Sequence, residues 1–341
     1  MMMVSGSLDF IADQDRSSYG KRMLLLVTNR RDITIDYVVA ELKRRQTPFF
    51  RLNTEELPTA RCTMAAFPRN AWSLSFEGRI LQGADVRAAY FRRPAPPAGN
   101  LTISDDGERE YASAEWGAFL KSLYSRLEGL WLNSPMDIFA AEDKPRQLML
   151  ASEIGFNVPQ ALITNDIASV REVAQAGPAI GKPLRQALIN GDQERVIFTT
   201  RLEALRDRDE EAIALAPLIA QTEIKKQYDV RVTVVGRQVF ATAIKSQEHE
   251  ETTVDWRQGS RPDLKHECIM LPSEVEEQCL TLMTRLNLCY GAIDLICDHQ
   301  GRLWFLEINP NGQWAWIENL TGYPIAAAIV DELEEIAWCP S

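Results

Sequence analysis

No apolar run in the sequence approaches the roughly 20 residues that span a bilayer, and stretches such as Met23 to Val27 are short enough for a single strand. Residues 1–22 also lack an apolar segment of signal-peptide length, and their basic pair, Lys21 and Arg22, follows the polar stretch. They are expected to form a mobile tail on a cytoplasmic protein that does not enter membranes. The six cysteines, Cys62, Cys268, Cys279, Cys289, Cys297 and Cys339, include no C-x-x-C pair, which excludes a zinc ribbon and a dithiol redox motif. The three histidines, His249, His266 and His299, are too few and too scattered for a metal triad. No Ser-His-Asp or Cys-His arrangement is visible, so covalent catalysis is disfavoured. Basic residues are also in deficit: Lys plus Arg is 37 against Asp plus Glu at 48, giving a net charge of −11. A broad nucleic-acid footprint needs the opposite balance.

What remains is ample for a folded protein. With 45% hydrophobic and 25% charged residues in 341, the chain can bury a full core and should hold two or three domains. Met23 to Asn29 reads as a strand, and Ile33, Tyr37, Val38 and Leu42 at helical spacing as the helix after it. Strands follow at Pro48 to Leu52 and Val86 to Phe91, with a hairpin around Glu77-Gly78. The strand ends at Arg92-Arg93-Pro94, since proline lacks a ladder donor. An exposed loop over 95–108 precedes two helices. Trp116, Phe119, Leu120, Leu123 and Leu127 face inward on the first, and Ile138, Leu148, Leu150 and Ile154 on the second, which stops at Gly155. Further strands are expected at Ala179 to Leu184 and Leu218 to Ile224. Two hairpins follow, one turning at Gly236-Arg237 and one at Asp298 to Gly301. The fold class is therefore mixed α/β (α+β), with antiparallel sheets in the C-terminal half.

The segment GAIDLICDHQGRLWFLEINPNGQW, Gly291 to Trp314, carries the most specific chemistry. Asp294 lies on one arm of a hairpin, and Glu307 with Asn309 on the other. Strict alternation along the second arm puts Phe305, Glu307 and Asn309 on one face and Leu306 and Ile308 on the other. Three oxygen donors then converge, which suits a hard cation such as Mg²⁺ that completes its shell with water and phosphate. A hairpin with a solvent-facing acidic pair is the plainer alternative.

This D-x₁₂-E-x-N pattern, followed by P-N-G, resembles the metal-binding signature of the ATP-grasp superfamily. Lys144, in EDKPRQLMLASEIGFNVP, and Lys182, in AIGKPL, are similar to the two lysines that contact nucleotide phosphates in that family. QTEIKKQYDVRVTVVG resembles its adenine-ribose hinge, which implies Glu223, Ile224, Lys225 and Lys226 as contacts made mostly by backbone and Asp229 near the ribose. Arg231 is expected to be directed into the site by the strand's alternate spacing, and Arg257 of VDWRQG, where the ribosomal-protein glutamate ligases carry a similar motif, would be a second guanidinium for phosphate or acyl phosphate. The stretch after Lys182, RQALINGDQERVIFTT, departs from the general carboxylate-amine ligases because it holds only Gly191. In this, and in its YFRRP, NSP and INPNGQW strings, the chain is similar to the microviridin-type (graspetide) ligases that crosslink ribosomally made peptides. The resemblance covers about residues 23–335.

That resemblance implies an ATP-grasp fold: a pre-ATP-grasp α/β domain over 23–133, a central lobe over 134–222 and a C-terminal antiparallel-sheet lobe with the metal site over 223–341. It also implies ATP and Mg²⁺ as cofactors. Asp or Glu side chains of a precursor peptide would be activated as acyl phosphates and joined to Ser/Thr hydroxyls or Lys amines. The central lobe would hold the leader part of that peptide, with Glu203 to Leu218 a candidate contact helix. Arg92 and Arg93 either bind substrate carboxylates or pair with acids at a domain seam. Related ligases are often homodimers, and no segment of this sequence marks the interface. The alternatives are a ligase of the glutamate-ligase type acting on a peptide or small carboxylate, and a non-catalytic ATP- or peptide-binding protein, since fold alone does not establish turnover.

Overall fold

The structure, a computed structural model, describes residues 22–76, 78–97, 102–185, 188–189, 195–202, 205–249, 252–256 and 263–338. The expected tail, apart from Arg22, and Arg257 lie outside the described residues.

The chain opens with β1 (Met23–Thr28), α1 (Thr34–Arg45), β2 (Phe49–Asn53), β3 (Arg61–Met64), β4 (Trp72–Phe76), β5 (Arg79–Gln82) and β6 (Val86–Phe91). β1 is the middle of a parallel sheet ordered β2-β1-β6, and five of its six residues are buried, as a strand covered on both faces requires. A separate antiparallel sheet, β3-β4-β5, contains the expected hairpin at Gly78. α2 (Asp106–Arg126) starts at Asp105, whose carboxylate accepts from the Glu108 amide at 2.9 Å, and buries Leu120 and Leu123. The next stretch, expected as one helix, is two: α3 (Pro135–Ala141) and α4 (Lys144–Ile154). Asp143 breaks it by capping α4 through the Arg146 amide at 3.1 Å, and Pro145 is tolerated in the first turn.

The middle of the chain holds β7 (Ala161–Thr164), α5 (Ile167–Gln175), β8 (Ala179–Pro183), β9 (Leu188–Ile189), β10 (Arg195–Val196), β11 (Thr200–Arg201), α6 (Glu210–Ala214) and β12 (Leu218–Thr222). Its main sheet runs β11-β8-β12-β7, and β9 pairs with β10. The helix expected over Glu203 to Leu218 is only the short α6, with residues 203 and 204 outside the described set. Pro217 disfavours helix at the residue before it, and Leu218 already belongs to β12.

The last part comprises β13 (Lys226–Val235), β14 (Gln238–Ile244), β15 (His266–Ile269), α7 (Ser273–Arg285), β16 (Tyr290–Asp298), β17 (Leu303–Asn309), α8 (Ala315–Thr321) and α9 (Ile325–Trp338). The five strands form one antiparallel sheet, β15-β14-β13-β16-β17, and both expected hairpins are present. One face packs on α4 and α7 through Leu148, Leu282, Ile293 and Phe305. No helix among the described residues is long and apolar enough to cross a membrane.

A second core joins the two ends of the fold, with Leu24, Leu26, Val38, Leu42 and Tyr90 packed against Ile325, Ile329 and Leu333 of α9. Arg45 reinforces it, reaching Asp331 at 2.6 Å and Glu334 at 2.9 Å while Glu41 accepts from its Nε at 2.7 Å. The Arg44 side chain, with Arg45 adding and burial opposing, lowers the Glu41 carboxyl from its ordinary 4.5 to about 2. A depressed carboxyl contributes stability that is present above its unfolded value and lost as pH falls through its folded one. Glu41→Gln is therefore expected to unfold earlier in denaturant at neutral pH, and to lose less than the parent between neutral pH and pH about 3. Denaturant midpoints at the two pH values check this.

Candidate active site

Asp294 on β16 stands opposite Glu307 on β17. Facing residues of an antiparallel pair hold their Cβ atoms about 4.5–5.5 Å apart, so the two carboxylates share one face. The register then shifts: Leu295 opposes Phe305, and Leu306 is the extra residue of a bulge. This corrects the strict alternation expected from sequence. Phe305 enters the core, and Leu306 lines the cleft beside Glu307. Asn309, two residues beyond Glu307, accepts from the Asn311 amide at 3.0 Å.

β17 is the edge of its sheet, and a side chain covers its exposed backbone. Gln147, buried on α4, donates to the Ile308 carbonyl at 2.9 Å and accepts from the Ile308 amide at 3.0 Å. Lys144 lies three residues earlier on the same helix and therefore on the same side. Its Nζ is 3.0 Å from Glu307 Oε2. No sequence signal singled out Gln147; its partner lies 161 residues away.

Arg231 stands opposite Asp294 on β13 and grips both carboxylate oxygens from one nitrogen, at 2.7 and 2.8 Å. Its other terminal nitrogen donates to the Gln313 carbonyl at 3.3 Å. Gly312 passes directly over this guanidinium, where a Cβ would come within 2.9 Å of Arg231 Nη2 and 2.4 Å of the Ala292 Cβ.

The cleft lies between this sheet and the middle one, lined by Lys144, Lys182, Glu223, Ile224, Lys226, Asp229, Asp294 and Glu307, with Val254 to Trp256 closing one side. Lys182 reaches it from β8, opposite Ile219. Lys226 is buried and donates to both oxygens of Asp229, at 2.8 and 2.7 Å, and to the Val254 carbonyl at 3.1 Å. Ser246 also donates to Asp229. Burial pushes the Asp229 carboxyl up, with the Lys226 ammonium opposing. The Glu223 amide is taken by the Pro178 carbonyl at 2.7 Å, and Arg201 clamps its carboxylate, with the closest approach 2.8 Å. Lys225 lies toward a neighbouring hollow that it shares with Arg201, Glu223 and Arg171.

Of the two alternatives for Arg92, the seam describes it. Its side chain is 0% exposed, so it offers no face to an incoming carboxylate, and its Nε lies 3.1 Å from Asp32 Oδ2. It also donates to the Asn311 carbonyl. Arg93, exposed beside it, donates to the same carbonyl at 3.0 Å. His249 lies 3.6 Å from Asp263, and His299 is exposed on the β16–β17 turn.

Among the described residues no three His, Cys, Asp or Glu side chains gather to hold a metal. The donor set here is two facing carboxylates and an amide, all oxygen, which fits a Mg²⁺ ion that keeps positions for water and phosphate.

A family model described as the RimK-like ATP-grasp domain matches residues 141–333, more than half of the chain. The chain belongs to the RimK-like ATP-grasp family. The family domain begins just before Lys144 and runs through β17 into α9. Solved structures of similar ATP-grasp proteins extend the likeness to the N-terminal sheets. The macrocyclase MdnC from Microcystis aeruginosa, bound with its precursor peptide MdnA, is 28% identical, with a TM-score of 0.79 over 92% of this chain and 99% of that one. A RiPP-associated ATP-grasp ligase from Chryseobacterium gregarium, in complex with ADP and a leader and core peptide, is 27% identical, with a TM-score of 0.80 over 92% and 97%. A probable alpha-L-glutamate ligase from Haemophilus influenzae is 26% identical over 213 residues, 60% of this chain, and the match spans 66% of that relative's length.

Proposed function

We propose that this protein is an ATP- and Mg²⁺-dependent ligase that crosslinks a ribosomally made precursor peptide. It would join Asp or Glu side chains to Ser/Thr hydroxyls or Lys amines as macrocyclic esters or amides. The observation that carries this reading is the likeness to the peptide-bound macrocyclase over 99% of that chain, the N-terminal sheets included. The glutamate-ligase relative matches only 60% of this chain.

In this reading a peptide carboxylate takes the terminal phosphoryl group of ATP, leaving ADP, and the acyl phosphate loses phosphate when a hydroxyl or amine attacks. Mg²⁺, when bound, neutralises phosphate charge as that group moves. Asp294, Glu307 and Asn309 would hold it. Lys144 and Lys182 would contact the phosphates as mobile point charges. The backbone of Glu223, Ile224, Lys225 and Lys226 would seat the adenine, and Asp229, with both oxygens on Lys226, would fix that lysine beside the nucleotide. Arg231 would face the transferred phosphoryl group from behind Asp294, and Arg257 would supply a second guanidinium. Arg93 would meet a substrate carboxylate at the cleft rim.

Candidate precursor peptides incubated with enzyme, ATP and Mg²⁺ are expected to lose the mass of one water per bond, with ADP formed in step. With free glutamate also supplied, a gain equal to an added glutamyl residue would favour the glutamate-ligase reading instead. No mass change and no ADP with the precursor peptides would sink the crosslinking reading.

A further inference from the structure

The four residues after β17, Pro310 to Gln313, have all their carbonyls taken by side chains from other parts of the chain. Asn133 donates to Pro310 O at 3.4 Å, Tyr290 to Gly312 O at 2.6 Å and Arg231 to Gln313 O at 3.3 Å. Two guanidiniums, Arg92 and Arg93, converge on Asn311 O. Pro310 and Gly312 are buried, and buried carbonyls need partners other than bulk water. Here Asn133, Arg92 and Arg93 all come from outside the sheet that carries the site.

The anchored residue is the one that orients a candidate metal ligand. The Asn311 amide donates to Asn309 Oδ1 at 3.0 Å. An amide oxygen has two lone pairs, so this bond fixes the side chain and leaves one lone pair for a cation. Arg92 is itself oriented by Asp32, whose second oxygen accepts from the Thr34 amide at 3.0 Å at the start of α1. A continuous path of contacts therefore runs from α1 through Asp32, Arg92 and Asn311 to Asn309.

We propose that Arg92, held by Asp32, is a positioning residue for the metal site, fixing the Asn311 peptide so that the Asn309 amide oxygen faces the cation. This rests on the reading of Asp294, Glu307 and Asn309 as the metal ligands. Partners of metal ligands typically alter metal affinity by about 10- to 100-fold.

The test is Mn²⁺ binding to the full chain in the presence of a non-hydrolysable ATP analogue, followed by electron paramagnetic resonance, for the parent, Arg92→Lys, Asp32→Asn, Tyr290→Phe and Asn309→Ala. Arg92→Lys cannot span Asp32 and Asn311 together and is expected to weaken Mn²⁺ by roughly tenfold. Half-saturating Mg²⁺ for ADP formation should rise in parallel, while KM for ATP at saturating Mg²⁺ moves by less than about twofold. Tyr290→Phe, which removes one hydroxyl anchor and keeps the ring, should weaken Mn²⁺ by about threefold. Unchanged Mn²⁺ binding in folded Arg92→Lys or, should that variant not fold, in Asp32→Asn, which can still accept from Thr34 but loses the charge that holds Arg92, overturns the positioning role, provided Asn309→Ala has weakened it. Unchanged binding in Asn309→Ala overturns the metal reading itself.

Discussion

Glu307→Gln, at a proposed metal ligand, is expected to lower ATP-dependent peptide turnover by roughly 10²- to 10³-fold at saturating Mg²⁺, since a bound cation's stabilisation of transition-state charge is worth several kcal/mol. The substitution keeps shape and removes charge. Glu307 lies at the cleft wall, its side chain 21% exposed, and its neighbours Phe305 and Ile308 hold β17 in the core without it. Stability should therefore change by less than about 1 kcal/mol, as for other partly exposed polar sites. Turnover should fall for two reasons. The facing pair with Asp294 loses half its charge, and Lys144, 3.0 Å away and proposed to contact the phosphates, loses its ion-pair partner. ADP release and peptide mass, measured with thermal melts on the same preparations, separate chemistry from folding. A variant with full turnover would remove Glu307 from the site.

The largest stability effect should come from Lys226→Met. Lys226 and Asp229 have side-chain exposures of 6% and 7%, so the pair sits away from water. Removing one partner of a buried ion pair leaves the other uncompensated and typically costs ~3–5 kcal/mol. Among the described residues, Ser246 would remain to meet the Asp229 carboxylate. The double variant Lys226→Met/Asp229→Asn should recover a large part of the loss, because a neutral amide can still accept from Ser246 and no charge is stranded. Denaturant midpoints of the two single variants and the double variant give the coupling. Additive losses would show that the pair is not interacting.

The parts of the site read correctly from sequence are those governed by local rules. The β16–β17 hairpin announces itself by alternation and by its Asp298 to Gly301 turn, and the D-x₁₂-E-x-N spacing puts Asp294 opposite Glu307 once that turn is known. The bulge at Leu306 is different in kind, since competition between core space for Phe305 and cleft access for Glu307 sets it, and no two-residue period contains it. The break between α3 and α4 was written in the sequence, in Asp143 followed by Lys144-Pro145, a cap before a first-turn proline. Gln147 was not legible as a structural support, and for Arg92 the sequence offered the seam with an acid, which Asp32 supplies, but not the bond to Asn311. Those unread partners lie 161 and 219 residues away, and only the folded chain brings them together.

The packing of α9 against β1, α1 and β6 has a consequence for synthesis on the ribosome. Arg45 and its partner Asp331 are 286 residues apart, and the core around Val38 and Leu42 stays open until α9 has been made. At about 5–20 residues per second, the first-made sheet waits roughly 15–60 s with its apolar side uncovered. A nascent chain in that interval is expected to be aggregation-prone, and a product cut short upstream of α9 is expected to keep that apolar surface uncovered.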